Sequence, residues 1–205
     1  MGKKRKVHSL TGRIDDRLMM QAFKAVKKNR GAAGIDKVSI EMFQQNLDVN
    51  LAALKRDLKT RGKFNPKPLR RVWIPKDAKG TKFRPLGIPA VRDRVAQEVV
   101  RRLLEPIFEP LFHDCSFGFR PQRSCHSAIN RVLSFHEEGN RVTLDADISG
   151  FFDNIPHKLI VRAVAEEVAD GNILNLIEKF LAAGVMENGV FKPTSIGTPQ
   201  GGVIS

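Results

Sequence analysis

The stretch "RVTLDADISGFFDNIPH", Arg141 to His157, decides how the chain is read. Its first half alternates: Val142, Leu144, Ala146 and Ile148 fall on one side, and Thr143, Asp145 and Asp147 on the other, which predicts a half-buried strand presenting two carboxylates together. Two phenylalanines, Phe151 and Phe152, and a third acid, Asp153, follow at once. A carboxylate set among apolar residues needs a cation, either Lys/Arg or a metal, to offset the cost of losing water.

The rest of the chain makes that concentration of acid unusual. Its 205 residues hold 35 Lys and Arg against 22 Asp and Glu, a formal charge of +13, and 41% are hydrophobic. Such a chain can bury a core and is not disordered, and its charge points to a polyanionic partner, nucleic acid first. Cys115 and Cys125 are the only cysteines and match neither a CxxC metal pattern nor a disulfide framework, so a reduced, cytoplasmic setting is expected. No apolar run reaches the length needed to span a bilayer, and no membrane partner is expected. The opening "GKKRKV" reads as a basic arm for phosphates, or as a nuclear import signal.

Outward from the acidic stretch the elements alternate irregularly. Leu18, Met19, Ala22, Phe23 and Val26 predict a helix over about 16–28, and Ser39 caps a longer one carrying Ile40, Phe43, Leu47, Leu51, Leu54 and Leu58, ended by Gly62. "LRRVWIP" and "RPLGIP" flank the turn-forming "KDAKGTK", giving a hairpin with a cationic tip. Further helices are expected over 92–112, 121–138, 156–168 and 172–183, with Asp153 as a cap before the Pro156 helix. "VMENGVF" has the Asn-Gly signature of a tight hairpin. The fold class is α+β, helices mixed with antiparallel hairpins.

Acids in a basic protein suit two-metal phosphoryl chemistry, in which carboxylates hold Mg²⁺ ions about 3.5–4 Å apart while surrounding cations collect the polyanion. On the residues alone, a structural ion pair for Asp145 and a core role for Phe151 or Phe152 remain open.

At this point the wording of the sequence adds what spacing does not. "LDADISGFFDNIPH" resembles the block around the first metal-binding aspartate of reverse transcriptases, especially those of bacterial group II introns. "IPKDAKGTKFRPLGIPAVRDRVAQ", "SFGFRPQRSCHSAI" and "GTPQGGVIS" resemble three further blocks of that family in the same order, and "NRGAAGID" with the helix after it resembles its N-terminal fingers block. The resemblance runs over nearly all of the chain from about residue 20.

It implies a reverse-transcriptase fingers and an incomplete palm: residues 1–38 a basic extension and the start of the fingers, 39–138 the fingers, 139–205 a partial palm with returning fingers helices. It implies Mg²⁺-dependent transfer of deoxynucleotides from dNTPs to a DNA primer on an RNA template. Asp147 then binds the catalytic metals with the carbonyl of Ile148. Lys82 and Arg84, with Lys76 beside them, clamp the triphosphate, while Lys79 reads as a solvated turn residue. Phe152 packs against the sugar, with Phe151 the better core candidate. Gln200 closes the nucleotide pocket, Gly201 approaches the template, and Arg120 and Arg123 meet nucleic-acid phosphates. Lys37 and Ser149 depart from the family's common glycine and lysine. The family's second acidic block, an aromatic-Ala-Asp-Asp turn, does not occur, the only Asp-Asp pair being Asp15–Asp16. The expectation is therefore of a fragment cut short at Ser205 that binds RNA without polymerising. An RNA-binding maturase without polymerase activity is the alternative.

Overall fold

The computed structural model describes residues 6–77 and 80–198. They fall into two compact units, one of residues up to Leu103 and from Gly150 onward, the other of Leu104–Ser149.

The first unit holds the core. In α1 (Asp16–Asn29) Asp15 caps the start by accepting from Leu18 N at 2.7 Å, and the stripe Met19, Ala22, Phe23 and Val26 is buried. Ser39 caps the next helix through Met42 N, as its sequence predicts. The single helix expected after it is two, α2 (Ile40–Gln45) and α3 (Leu47–Lys59), because Asn46 leaves helical geometry at φ −121°. The break is stable because Asn50 Nδ2 donates to the freed Phe43 carbonyl at 2.8 Å, and Phe43 stacks on Phe23 with ring centroids 5.8 Å apart. Leu54, Leu58 and Phe64 are buried with Val91, Val95, Val99 and Val100 of α4 (Val91–Phe108).

The hairpin β1 (Leu69–Pro75) and β2 (Phe83–Ile88) pairs antiparallel, Ile74 opposite Arg84 and Val72 opposite Leu86. After α6 (Phe151–Asn154), α7 (His157–Glu167) and α8 (Gly171–Leu181), a second hairpin, β3 (Val185–Glu187) and β4 (Val190–Lys192), turns at Asn188 and Gly189. Their φ values, 50° and 80°, are the two positive angles a type I′ turn demands. β3 lies parallel to β1, giving the order β2-β1-β3-β4.

Asp170 ties the chain's beginning to its later half. Its carboxylate accepts from Thr11 N at 2.7 Å and Thr11 Oγ1 at 2.8 Å while capping α8 through Asn172 N and Ile173 N. Burial alone would raise its pKa, but these donors outweigh burial and hold it below the ordinary value. Val7 forms a parallel bridge with Val168, and Lys6 donates to the Ala165 carbonyl. The end of "GKKRKV" is thus anchored backbone, and residues 1–5 of that basic stretch lie outside the described residues.

The second unit contains the last residues of α4, a 3-10 turn at Glu109–Leu111, α5 (Cys125–Glu137) and irregular chain. From residue 105 to 149 no residue is buried, and Ile129, Val132 and Leu133 of α5 are all exposed. The strand expected at 142–148 is not formed: the segment is irregular, with Val142 92% and Leu144 90% exposed. Alternation supplies a face but no partner, and among the described residues no strand pairs with this one, so its backbone groups stay in water.

Candidate functional site

The first hairpin delivers cations to a cleft. Arg71 on β1, Lys76 just beyond it, and Arg84 and Pro85 on β2 line one side of a space of about 260 Å³; Asp153 of α6 and Thr194, Ile196, Gly197 and Thr198 line the rest. The β1–β2 ladder runs one step past its strands, Lys76 N donating to the Lys82 carbonyl at 2.7 Å. Asp77 then ties the turn, accepting from Thr81 N at 2.9 Å and from Thr81 Oγ1. The Thr81 hydroxyl is the main reason the Asp77 carboxyl sits below its ordinary pKa.

The opposite wall is irregular chain stapled to α6 and α7. Ile196 bridges Pro156, Gly197 N donates to Ile155 O at 2.8 Å, and Thr198 N donates to Phe152 O at 2.8 Å. Gly197 has φ +76°, and a Cβ there would lie 2.6 Å from the Asp153 carbonyl oxygen, so only glycine lets the two segments lie this close.

Three cationic residues, Arg71, Lys76 and Arg84, share the lining of the cleft with one acidic residue, Asp153, and guanidinium is the group suited to grip phosphate oxygens bidentately. On β3, Glu187 accepts from Lys192 at 2.5 Å and from Trp73 Nε1 at 2.9 Å, contacts that hold its carboxyl low and tie the exposed indole of β1 to β3.

Of the residues singled out by sequence, the structure brings Lys76 and Arg84 into the cleft, while Lys82 stands exposed at the hairpin outside its lining. Phe152 lies on the same turn as Asp153, half exposed and edge-on to Phe151 at 5.5 Å; Phe151 is 48% exposed and is no core residue. Asp153 does not cap α7, whose N-cap is Pro156 without a side-chain bond; it belongs to the preceding turn and faces the cleft instead. Gln200, Gly201 and Lys79 lie outside the described residues. Arg71 and Thr198 were missed. The adjacent arginines of "LRRVWIP" were the signal, because alternation sends them to opposite faces and Arg70 Nε is spent on the Ala33 carbonyl at 3.1 Å.

In the second unit Arg120 is committed to its own loop. Its side chain is 7% exposed, paired with Glu109 at 2.8 Å, and donates to the carbonyls of His113 and Ser116. Arg123 lines a broad groove of about 630 Å³ with His113, Asn130 and Arg131, and so presents the more accessible charge. Asp147 and Ile148 stand in the exposed irregular segment, Ile148 68% exposed. Aspartate oxygens are the donors Mg²⁺ takes, yet among the described residues no three His, Cys, Asp or Glu side chains group to hold an ion. The described residues do not by themselves make up a magnesium site.

The model of the family described as reverse transcriptase (RNA-dependent DNA polymerase) matches residues 74–205. The chain belongs to the reverse transcriptase family. The match takes in the cationic hairpin from Ile74 onward, the carboxylate stretch and the glycine-rich end. Among curated relatives, the YkfC protein of Escherichia coli K12 is 40% identical over 193 residues, covering 91% of this chain and 50% of YkfC. The group II intron-encoded protein LtrA of Lactococcus lactis subsp. cremoris is 40% identical over 186 residues, covering 90% of this chain and 30% of LtrA. The chain thus spans half or less of the length of these relatives. Among solved structures, a chain of a partial Cas6-RT-Cas1–Cas2 complex superposes with a TM-score of 0.59 at 17% identity, over 96% of this chain and 32% of that one, which supports a shared fold. The mixed α and β architecture expected from the sequence is that fold. No helix among the described residues is long and apolar enough to cross a membrane.

Proposed function

We propose that this chain is the nucleotide-binding part of an RNA-directed DNA polymerase of the group II intron type. The observation that carries the reading is the cleft in which Arg71, Lys76 and Arg84 converge opposite Asp153, beside the Phe151–Phe152 turn, in a chain of the reverse transcriptase family. The kinship with LtrA and YkfC supports the intron-type assignment.

In this reading the two guanidinium groups and Lys76 neutralise the triphosphate of a dNTP as a primer 3′-hydroxyl attacks. Phe152, whose carbonyl is fixed by Thr198 N, stands against the sugar. Gln200 and Gly201 contribute to the pocket and the template path, and Lys82 reaches the phosphates from the hairpin's outer side. Arg123 contacts nucleic-acid phosphates, and Arg120 acts by holding the loop that carries it. Residues 39–138 serve as fingers and 139–205 as part of the palm, with 1–38 a basic extension. The family generally uses Mg²⁺, and Asp147 with the Ile148 carbonyl is the motif's contribution to it.

A second reading, intron RNA binding in support of splicing, draws on the +13 charge and on 34% identity over 93 residues to Arabidopsis thaliana nuclear intron maturase 1. Primer extension on an RNA template by the complete reading frame separates the two. Extension that Asp147→Ala abolishes, with RNA affinity retained, is expected; RNA binding with no extension by the unaltered protein would favour the second reading.

A further inference from the structure

We propose that His157 is a positioning residue for the incoming nucleotide, setting the shape of the Gly197–Thr198 wall of the cleft; the inference rests on the polymerase reading above.

His157 opens α7, immediately after the bridge between Pro156 and Ile196, and its Nε2 lies 2.8 Å from the Gly197 carbonyl oxygen. A carbonyl oxygen only accepts, so the ring must donate, and the neutral imidazole carries its hydrogen on Nε2. Imidazolium donates from the same atom, so the contact outlasts a change in ring charge.

What this bond orients cannot be oriented by a side chain at the wall itself. Gly197 is buried, its φ is +76°, and the space for a Cβ is taken by the Asp153 carbonyl. Backbone contacts fix the segment on one edge, Gly197 N to Ile155 O and Thr198 N to Phe152 O, and Thr194 Oγ1 anchors its start on the Leu181 carbonyl at 2.8 Å. The peptide between Gly197 and Thr198 is gripped at both ends only when His157 takes its carbonyl. Glycine before it offers little resistance to rotation. Rotation there would pull Thr198 N from Phe152 O and shift two parts of the site at once, the threonine wall and the turn that carries Phe152 and Asp153. Among the described residues the buried Thr198 hydroxyl in that wall has no hydrogen-bond partner, a polar group whose cost a bound nucleotide oxygen could relieve.

The test uses the complete polymerase reading frame and steady-state dNTP incorporation on an RNA template with a DNA primer. His157→Leu keeps bulk without a donor, and His157→Gln keeps an amide N–H able to reach the carbonyl. His157→Leu is expected to raise KM for dNTP about tenfold, the loss of one hydrogen bond, with kcat and primer–template affinity changed less than about threefold. His157→Gln is expected to return KM to within about threefold of the parent. An unchanged KM in His157→Leu would overturn the proposal. So would equal losses in both variants falling on kcat, template affinity and melting temperature alike, because that pattern marks a merely structural residue. If the parent enzyme extends no primer, the failure lies with the polymerase reading and not with His157.

Discussion

Replacing Asp93 by asparagine should make the protein's stability respond less to pH, and the size of the change follows from the site. Asp93 sits in the first turn of α4 with its side chain 2% exposed. Its Oδ2 accepts from Lys67 N at 2.8 Å, its buried Oδ1 has no hydrogen-bond partner among the described residues, and Arg92 Nη1 stands 3.8 Å from that Oδ1. Burial pushes its pKa from 3.8 up to about 6, against the opposing pull of the Lys67 bond and Arg92. A carboxyl raised in the folded state keeps its proton after the unfolded chain has lost it. The stability that Asp93 contributes is therefore fullest below pH 3.8 and declines as the pH climbs through about 6. The gap between those values corresponds to on the order of 3 kcal/mol, lost almost completely by neutral pH. Asparagine keeps an acceptor for Lys67 N and cannot ionise. Urea unfolding of parent and Asp93→Asn at pH 4 and pH 7.5 should show the variant gaining on the parent by about that amount between the two conditions. A difference in stability that stays constant across this range would refute the assignment of a buried, reluctant carboxylate at Asp93.

Other expectations can be measured directly. On the proposed nucleotide-binding reading, Arg71→Ala and Arg84→Ala should each weaken triphosphate binding about tenfold or more, read by titration with dNTP, and Arg84→Lys should restore only part of it because ammonium lacks the bidentate fork. Asp170→Ala removes the α8 cap and the partner of Thr11, and should cost about 2–4 kcal/mol in chemical denaturation. Because the Asp170 carboxyl is held below its ordinary value, its contribution is complete above pH 4 and fades as the pH falls through the lowered value. Phe64→Ala should cost about 3–5 kcal/mol, since Phe64 is 1% exposed, edge-on to Phe180 at 5.5 Å and capped by the Arg92 guanidinium at 4.9 Å. Loss of less than about 1 kcal/mol there would mean the core closes over the gap.

Local grammar was legible wherever one stretch of chain answers to its own spacing. The stripe of α1, the Ser39 cap, the Asn188–Gly189 turn and the β1–β2 hairpin each follow from residues within a few positions of one another. Asn46 shows the limit of that grammar, since Ile40 to Leu58 keep helical spacing through a break sustained by Asn50 and by tertiary packing. The strand over 142–148 shows the same limit from the other side. Its alternation is real, but a strand exists only with a neighbour, and alternation cannot say whether one is at hand.

By itself the sequence determined the family, the charge that selects a polyanion, and the residue types a polymerase needs, because motifs and caps are written in consecutive residues. Only the tertiary structure decided that Asp153 belongs to the cleft and does not cap a helix, that Arg71 stands with Lys76 and Arg84, and that Arg120 is spent on Glu109. It alone showed His157 holding Gly197, forty positions along the chain. The contacts around the cleft join segments brought together by the parallel pairing of β1 with β3 and by buried apolar surface in the first unit. Burial and long-range pairing act on the assembled chain, so no local pattern can record which distant groups they bring within hydrogen-bonding reach.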